Sequence, residues 1–250
     1  MTKIKSRHNP ICMHLKKLGI NNAYRKQNGE FLCDGIKLLE EAVKCKAEIP
    51  IVLTSSNVPF PLSIDSKLYY TDQTLIDFLS PLKNAQDILF TCRIPDISLK
   101  PEMTGTHILL DNVQDPGNVG TIIRTADAFG IKTVMLTGEC ADPYNPKTIR
   151  GTMGSVFRQS VYNVSNDDLI DFKNTGLRIV GTALLNDCRD FTKISYENTI
   201  IAIGNEGSGL SDAILSICDA LVTIPIRKDS QSLNAAVAAA IIMYEARCLL

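Results

Sequence analysis

Several features that would assign a class of protein are missing from this chain. No apolar run approaches the ~20 residues that a bilayer-spanning helix needs. The basic start MTKIKSRHNP is not followed by the apolar segment of a signal peptide. We therefore expect a cytoplasmic protein with no membrane partner.

Metal-binding patterns are also missing. The chain has eight cysteines, but no two of them form a C-x-x-C pair, and its only histidines are His8, His14 and His107. Zinc sites use Cys and His ligands at short, recurring spacings. We predict no metal site, and reduced cysteines that act as small hydrophobic residues.

Acidic residues are absent from the first 29 positions. The basic residues of this stretch are Lys3, Lys5, Arg7, Lys16, Lys17, Arg25 and Lys26. The rest of the chain carries 19 basic and 27 acidic residues, so a net charge of −1 hides a positive N-terminal segment. Such a segment attracts phosphate backbones by counterion release, but it is more often simply a solvated surface, so alone it does not predict RNA binding.

What the chain does contain is an alternation of strand-like and helix-like segments in two blocks. At 250 residues and 45% hydrophobic content it can bury one large core or two smaller ones. In the first block, Asn9 and Pro10 predict the start of a helix and Gly19 its end. Further elements are predicted in EFLCDGIKLLEEAVKC (strand, then helix), IPIVLTS and KLYYT (strands), DQTLIDFLSPL (a helix ending near Pro81) and DILFTCRI (strand).

The second block predicts a parallel sheet. Residues 93–106 contain two prolines and no clear period, which is typical of a linker. Predicted strands follow near ILLD, TVMLT, RIVGTALL, TIIAIG and LVTIP, with helices after Asp115, near 147–153, near 167–173, after Leu210 and after Leu233. Continuous apolar strands separated by helices indicate an α/β fold whose sheet is covered on both faces.

The first of three polar motifs is DNVQDPGNVGTIIRTADAFG, within His107–Gly130. Asp115 and Pro116 supply helix-start chemistry, and the two following glycines allow close approach of the backbone. Arg124 is two residues from the apolar Ile122, so at about 100° per residue it projects away from the buried stripe. It suits a phosphate or ribose contact, although an ordinary surface Arg is an equally good interpretation of this motif alone.

The second motif is IAIGNEGSGL, in which glycines follow a buried strand at the place where α/β sheets bind ligands. Its G-x-x-G-x-G order differs from the dinucleotide fingerprint G-x-G-x-x-G. Glu206 can hold Arg124 or a ribose hydroxyl there, or it can simply precede the helix predicted from Leu210 to Cys218.

The third motif leaves a strand at Ile224, crosses the polar residues RKDSQ and enters an Ala-rich helix through Ser232, Leu233 and Asn234. Backbone amides and these polar side chains can hold a reacting hydroxyl. Helix capping by Ser232 is the plainer interpretation.

In this order and spacing, the three motifs resemble those of the SpoU family of S-adenosylmethionine-dependent RNA ribose 2′-O-methyltransferases, in the SPOUT superfamily. The resemblance implies an α/β fold whose C-terminal parallel-sheet domain, residues 107–250, carries a trefoil knot. It implies a small α/β RNA substrate-binding domain over residues 1–92, through the stretches NP…LKKL and FLCDG…LLEEA, and a homodimer.

The resemblance also implies roles for individual residues. Cofactor contacts, mainly through backbone atoms, fall to Gly204, Ile224 and Leu233. The candidates for catalysis are Asn118, Arg124, Glu206, Ser232 and Asn234. Arg is a poor base, so we expect Arg124 to orient the ribose or its phosphate.

The expected reaction is attack of a ribose 2′-hydroxyl on the methyl group of S-adenosylmethionine, which requires alignment and stabilisation of the oxygen. The N-terminal domain favours ribosomal RNA over tRNA, because the smallest tRNA-modifying relatives lack it. The alternatives are a tRNA 2′-O-methyltransferase, a non-catalytic RNA-binding module of the same fold, and a nicotinamide-dependent Rossmann enzyme. The last explains the α/β alternation but neither PGN nor SLN.

Overall fold

The computed structural model describes residues 2–96, 104–184, 188–227 and 232–247. They form two compact units. The first comprises Met1–Asp96 with Asp142–Arg158, and the second comprises Ile97–Ala141 with Gln159–Leu250.

The first unit is a five-stranded mixed sheet with helices on both faces. Its strands are β1 (Thr2–Lys3), β2 (Glu30–Asp34), β3 (Ile51–Thr54), β4 (Lys67–Tyr70) and β5 (Ile88–Arg93), in the order β1-β4-β3-β5-β2. Its helices are α1 (Pro10–Ile20), α2 (Asn22–Asn28), α3 (Ile36–Lys44), α4 (Gln73–Leu79) and α6 (Pro146–Thr152), where α5 belongs to the second unit. Alternate strand residues face opposite sides, so Leu32 packs with α1 and α4 whereas Phe31 packs with α3 and α6.

The second unit is a seven-stranded sheet in which every pairing is parallel. Its strands are β6 (Thr106–Asp111), β7 (Thr133–Thr137), β8 (Ser160–Asn163), β9 (Arg178–Thr182), β10 (Arg189–Asp190), β11 (Thr199–Ile203) and β12 (Ala220–Thr223), in the order β10-β12-β9-β11-β6-β7-β8. Its helices are α5 (Pro116–Ala128), α7 (Asn166–Asn174), α8 (Asp212–Ile217) and α9 (Ala235–Ala246). Helices α5 and α9 cover one face, and α7 and α8 cover the other, as the apolar strand pattern predicts.

The prediction for the end of α1 was wrong. Gly19 lies inside the helix, which runs to Ile20, and Asn21 is the C-terminal cap. A Cβ on Gly19 would lie 3.3 Å from atoms of Leu32 and Pro81, so this glycine allows close packing and does not stop the helix.

Among the described residues, four short strands and α-helices were not predicted from the sequence. These are β1, α2, β8 and β10, none longer than seven residues. Asn21 caps α2 by accepting a hydrogen bond from the Tyr24 amide at 2.9 Å, and Gly29 ends it with φ 60°. Segments this short carry too few apolar positions to show a period.

The largest difference between the two compact units and the predicted division, with its linker at residues 93–106, lies in one segment. Residues Asp142–Arg158, which the sequence places in the C-terminal domain, belong to the first unit. Their apolar side chains Ile149 and Val156 are buried in the core around Phe31. Asp142 also accepts hydrogen bonds from the guanidinium of Arg25 at 2.5 and 2.9 Å.

Among the described residues, no helix is long and apolar enough to cross a membrane.

Candidate active site

The candidate site lies at the carboxyl ends of three neighbouring strands of the second unit. In the sheet, β9 lies between β12 and β11, and all three run parallel, so their carboxyl ends share one edge. A cavity of about 430 Å³ opens there, lined by the ends of these strands, the loop after β11 and the start of α9. Open α/β sheets place their ligands at this position.

The residues expected to contact a cofactor all line this cavity. Gly204 follows β11, Ile224 follows β12, and Leu233 precedes α9. Much of the wall is apolar, with Ile203 and Leu210 among its residues. A cavity of this size with apolar walls and a few polar groups is typical of a small-molecule site.

Gly204 is required by the tight loop that follows it. Asn205 and Gly209 exchange backbone hydrogen bonds of 3.0 and 2.9 Å, which closes a small turn directly against Gly204. A Cβ on Gly204 would lie 2.2 Å from the carbonyl carbon of Gly209, closer than real Cβ contacts allow. Only glycine fits here without opening the loop.

Three of the predicted polar residues form one hydrogen-bonded chain. The Asn118 amide nitrogen donates to Oε1 of Glu206. The Asn234 amide nitrogen donates to Oδ1 of Asn118 at 3.0 Å. Asn118 is therefore engaged at both ends of its amide, and each residue comes from a different motif.

Local structure fixes the position of both asparagines. Asp115 caps α5 by accepting hydrogen bonds from the amides of Gly117 at 2.7 Å and Asn118 at 3.0 Å. Asn234 caps α9 through Oδ1, leaving its Nδ2 to reach Asn118. Both side chains thus extend from the first residues of helices whose N-termini are anchored.

Ser232 and Arg124 are not part of this hydrogen-bonded chain of side chains. Ser232 is exposed and lines the cavity, while the helix cap belongs to Asn234, so capping by Ser232 was the wrong alternative. Arg124 is exposed on α5, as its offset from Ile122 predicts. It does not line the cavity, and the described residues offer it neither a hydrogen-bond nor an ion-pair partner. The carboxylate of Glu206 holds Asn118 and not Arg124.

Sequence reasoning missed a supporting layer behind the site. Asp111, at the end of β6, is 1% exposed and accepts hydrogen bonds of 2.6 Å from the Asn112 side chain and from the Ser211 amide. Asn205 donates to the Asn112 carbonyl at 3.0 Å and accepts from the Gly207 amide at 2.8 Å. These bonds tie β6 to both ends of the glycine loop. The available signal was the acid that follows the apolar residues of the predicted strand ILLD.

The chemistry of the remaining groups is restricted. Among residues 2–96, 104–184, 188–227 and 232–247, no group of three or more His, Cys, Asp or Glu side chains is placed to hold a metal ion. The thiol of Cys218 lies beside Gly181 of β9. Burial raises the pKa of Cys218 to about 11, so this thiol stays protonated near neutral pH.

Similar proteins match this chain over all or part of its length. It is 34% identical, over 99% of its own residues and 100% of the relative, to the 23S rRNA (guanosine(2553)-2′-O)-methyltransferase RlmP of Bacillus subtilis strain 168. It is 40% identical, over 56% of this chain and 51% of the relative, to a 23S rRNA (uridine(2479)-2′-O)-methyltransferase of Streptomyces viridochromogenes.

Solved structures share the fold. The SpoU methyltransferase AviRb of Streptomyces viridochromogenes, in complex with the cofactor AdoMet, has a TM-score of 0.83 and 29% identity, covering 96% of this chain and 97% of its own. An AdoMet-bound rRNA methyltransferase of Sinorhizobium meliloti has a TM-score of 0.84 and 28% identity, covering 98% and 97%. The model of the SpoU rRNA Methylase family matches residues 105–244, which include all three motifs. With its sheet, its glycine loop and this match in agreement, the chain belongs to the SpoU rRNA methylase family.

Proposed function

We propose that this protein transfers a methyl group from S-adenosylmethionine to a ribose 2′-hydroxyl of ribosomal RNA. One observation carries the proposal: Asn118, Glu206 and Asn234, drawn from three distant motifs, form a hydrogen-bonded chain. Glu206 also lines the cavity, together with Gly204, Ile224 and Leu233. Ribosomal RNA is favoured because the relative RlmP matches this chain from end to end.

The cavity fits the proposed cofactor. Its apolar wall, which includes Leu210 and Ile224, suits an adenine ring, and the backbone of the loop 204–209 offers polar groups beside it. The close approach at Gly204 keeps that loop in one shape. When bound, S-adenosylmethionine supplies a methyl group already activated by a sulfonium charge. The protein then has to align the acceptor oxygen and remove its proton.

Glu206 is the group best suited to take that proton. Its Oε1 accepts from Asn118, while no described residue donates to its Oε2. A ribose hydroxyl can donate to this second oxygen, and Ser232 at the cavity wall can hydrogen-bond the same hydroxyl. Asn118 keeps the carboxylate oriented, and Asn234 keeps Asn118 in one amide orientation. Arg124 is proposed to hold the ribose or its phosphate, because its exposed guanidinium has no other partner among the described residues.

Four further features belong to the same proposal. The first unit is proposed to bind the RNA, with the protein in the cytoplasm, where ribosomal RNA is found. The C-terminal chain is proposed to form the trefoil knot. In support of this, β12 lies beyond β9 in the sheet, yet α9, which follows β12 in the chain, packs against α5. A homodimer is supported by the exposed side chains Val237 and Tyr244 on α9.

The test is methyl transfer from radiolabelled S-adenosylmethionine to unmodified 23S rRNA transcribed in vitro, with tRNA transcripts in parallel. A 2′-O-methyl group blocks attack of the 2′-oxygen on the adjacent phosphate, so the labelled position should resist alkaline cleavage. We expect label in rRNA at one alkali-resistant linkage, and Glu206→Gln should abolish it. Binding of both RNA and cofactor without transfer would support a non-catalytic module. Label in tRNA alone would move the substrate to that class.

A further inference from the structure

The first unit carries a surface of concentrated positive charge, which we call the basic surface. It consists of Lys5, Arg7, Lys16, Lys17 and Phe78. Lys5, Arg7 and Lys17 are exposed, and Lys16 is half-buried. Phe78, on α4, is 39% exposed, so its ring is accessible to these side chains.

The described residues do not neutralise the cations of this surface. Among the described residues, no carboxylate lies within ion-pair distance of Lys5, Arg7, Lys16 or Lys17. Elsewhere in the unit such pairs are common: Lys3 binds Asp72 at 3.0 Å, and Lys44 binds Glu40 at 3.0 Å. The acid beside Phe78, Asp77, instead accepts a hydrogen bond from Gln73 at 2.8 Å.

Aromatic rings hold three of these cations in place. The Arg7 guanidinium lies 4.2 Å and the Lys16 ammonium 4.8 Å from the ring centroid of Phe78. Lys16 also donates to the Phe78 carbonyl at 2.5 Å. The Lys17 ammonium lies 5.4 Å from the ring of Tyr24. Two like charges on one ring repel each other, and a bound anion relieves that repulsion without reordering the side chains.

The rest of the molecule makes this surface distinctive. Beyond residue 29 the chain carries 19 basic residues against 27 acidic ones. A polyanion therefore meets net repulsion from the remainder and attraction here. Several cations spread over α1 and the segment before it suit a polymer of phosphates better than a single phosphate.

We propose that the basic surface, formed by α1, the segment before it and α4, binds the phosphate backbone of the ribosomal RNA substrate, with Phe78 as the residue that positions Arg7 and Lys16. This rests on the proposed function for the identity of the RNA. The contact is to phosphates, so it sets affinity and position but reads no sequence.

The experiment compares two triple variants of the full chain with equal charge. The surface variant is Lys5→Gln, Arg7→Gln and Lys17→Gln, which leaves the main-chain bond of Lys16 intact. The control is Lys37→Gln, Lys67→Gln and Lys83→Gln, three exposed lysines of the same unit that also lack an ion-pair partner among the described residues. Affinity for transcribed 23S rRNA is measured across a salt series, alongside S-adenosylmethionine affinity and thermal unfolding.

We expect the surface variant to lose about tenfold or more in RNA affinity and to flatten the salt slope by about two to three, since each phosphate contact contributes roughly 0.7–0.9. The control variant should change RNA affinity and the salt slope far less. The surface variant and the control variant should bind S-adenosylmethionine like the wild type. Phe78→Leu should weaken RNA binding several-fold, and Phe78→Tyr, which keeps a ring, should restore it.

Equal losses of RNA affinity in the surface and control variants would overturn the proposal. It would also be overturned if the surface variant lost affinity for vesicles containing phosphatidylserine but not for rRNA. The outcome is separable from the catalytic proposal. If the wild type binds rRNA through this surface yet transfers no methyl group, only the reaction fails. If transfer occurs with affinity unaffected by the surface variant, only the surface assignment fails.

Discussion

Asn118 and Asn234 are 116 residues apart in sequence, and their side chains are joined by a 3.0 Å hydrogen bond from Nδ2 of Asn234 to Oδ1 of Asn118. Each side chain comes from the N-terminal end of a helix on the same face of the parallel sheet. This bond links the first and third motifs directly, and Glu206 joins them from the second.

Asn118→Asp should lower turnover by about 100-fold, a loss typical of removing one oriented hydrogen-bond donor from an active site. The new carboxylate cannot donate to Glu206, and two carboxylates at hydrogen-bond distance cannot both stay ionised. S-adenosylmethionine affinity, measured by calorimetry, should stay near wild type because Asn118 does not line the cavity. Asn174→Asp, on the exposed end of α7, is the matched control. Normal turnover in Asn118→Asp would contradict the role of Asn118.

Gly204→Ala should weaken S-adenosylmethionine binding by at least about tenfold, because the added Cβ would lie 2.2 Å from the Gly209 backbone and force the loop open. Gly207→Ala is the natural control, since its Cβ would meet only Oδ1 of Asn205 at 3.5 Å. Calorimetric titration compares the two variants. Equal affinities would show that the loop does not shape the cofactor site.

Arg124→Ala should reduce turnover strongly while leaving cofactor affinity near normal, because the side chain is exposed on α5 and does not line the cavity. Arg124→Lys should recover only part of the rate, since an ammonium lacks the planar fork that binds phosphate in two places. Thr121→Ala, also exposed on α5, controls for a change in the helix. If steady-state kinetics show the same turnover for Arg124→Ala as for the wild type, Arg124 does not belong to the site.

His107 should make stability depend on pH below about 6.5. It is fully buried with Nδ1 bonded to Thr133 at 2.8 Å, and burial lowers its pKa from 6.5 to about 4. As pH falls, the unfolded chain binds a proton at His107 before the folded chain does. The contribution of His107 to the free energy of unfolding is therefore complete above pH 6.5 and is lost as pH falls towards 4. The loss is roughly 3 kcal/mol at most.

Urea unfolding of the wild type and His107→Asn between pH 7 and pH 4 tests this. Asparagine can keep the bond to Thr133 but does not titrate. The difference in free energy of unfolding between the wild type and His107→Asn should change with pH only between about pH 6.5 and pH 4. Parallel curves would show that His107 titrates normally in the folded protein.

Arg25→Met should destabilise the first unit by about 3–5 kcal/mol, because it leaves the Asp142 carboxylate without its partner. The pair is well buried, with side chains 3% and 13% exposed. Lys3→Met breaks the exposed pair with Asp72, whose side chains are 51% and 63% exposed, and should cost less than about 1 kcal/mol. Comparable midpoints in thermal unfolding for the two variants would show that the Arg25–Asp142 pair is not structurally important.

The sequence alone determined the parts of this protein that depend on neighbouring residues. The Asp115–Pro116 start of α5, the outward direction of Arg124 and the apolar strands of the parallel sheet all follow from caps and periodicity, which act over a few residues. The resemblance of their motifs to those of the SpoU family made Asn118, Glu206 and Asn234 candidate site residues.

Which of these groups meet depends on the tertiary structure. That Glu206 binds Asn118 and not Arg124, and that residues 142–158 join the core around Phe31, depends on strand order and long-range burial. The same holds for Gly19, whose role is set by Leu32 and Pro81. Contacts between distant segments are made by packing, and no local pattern in the chain encodes them.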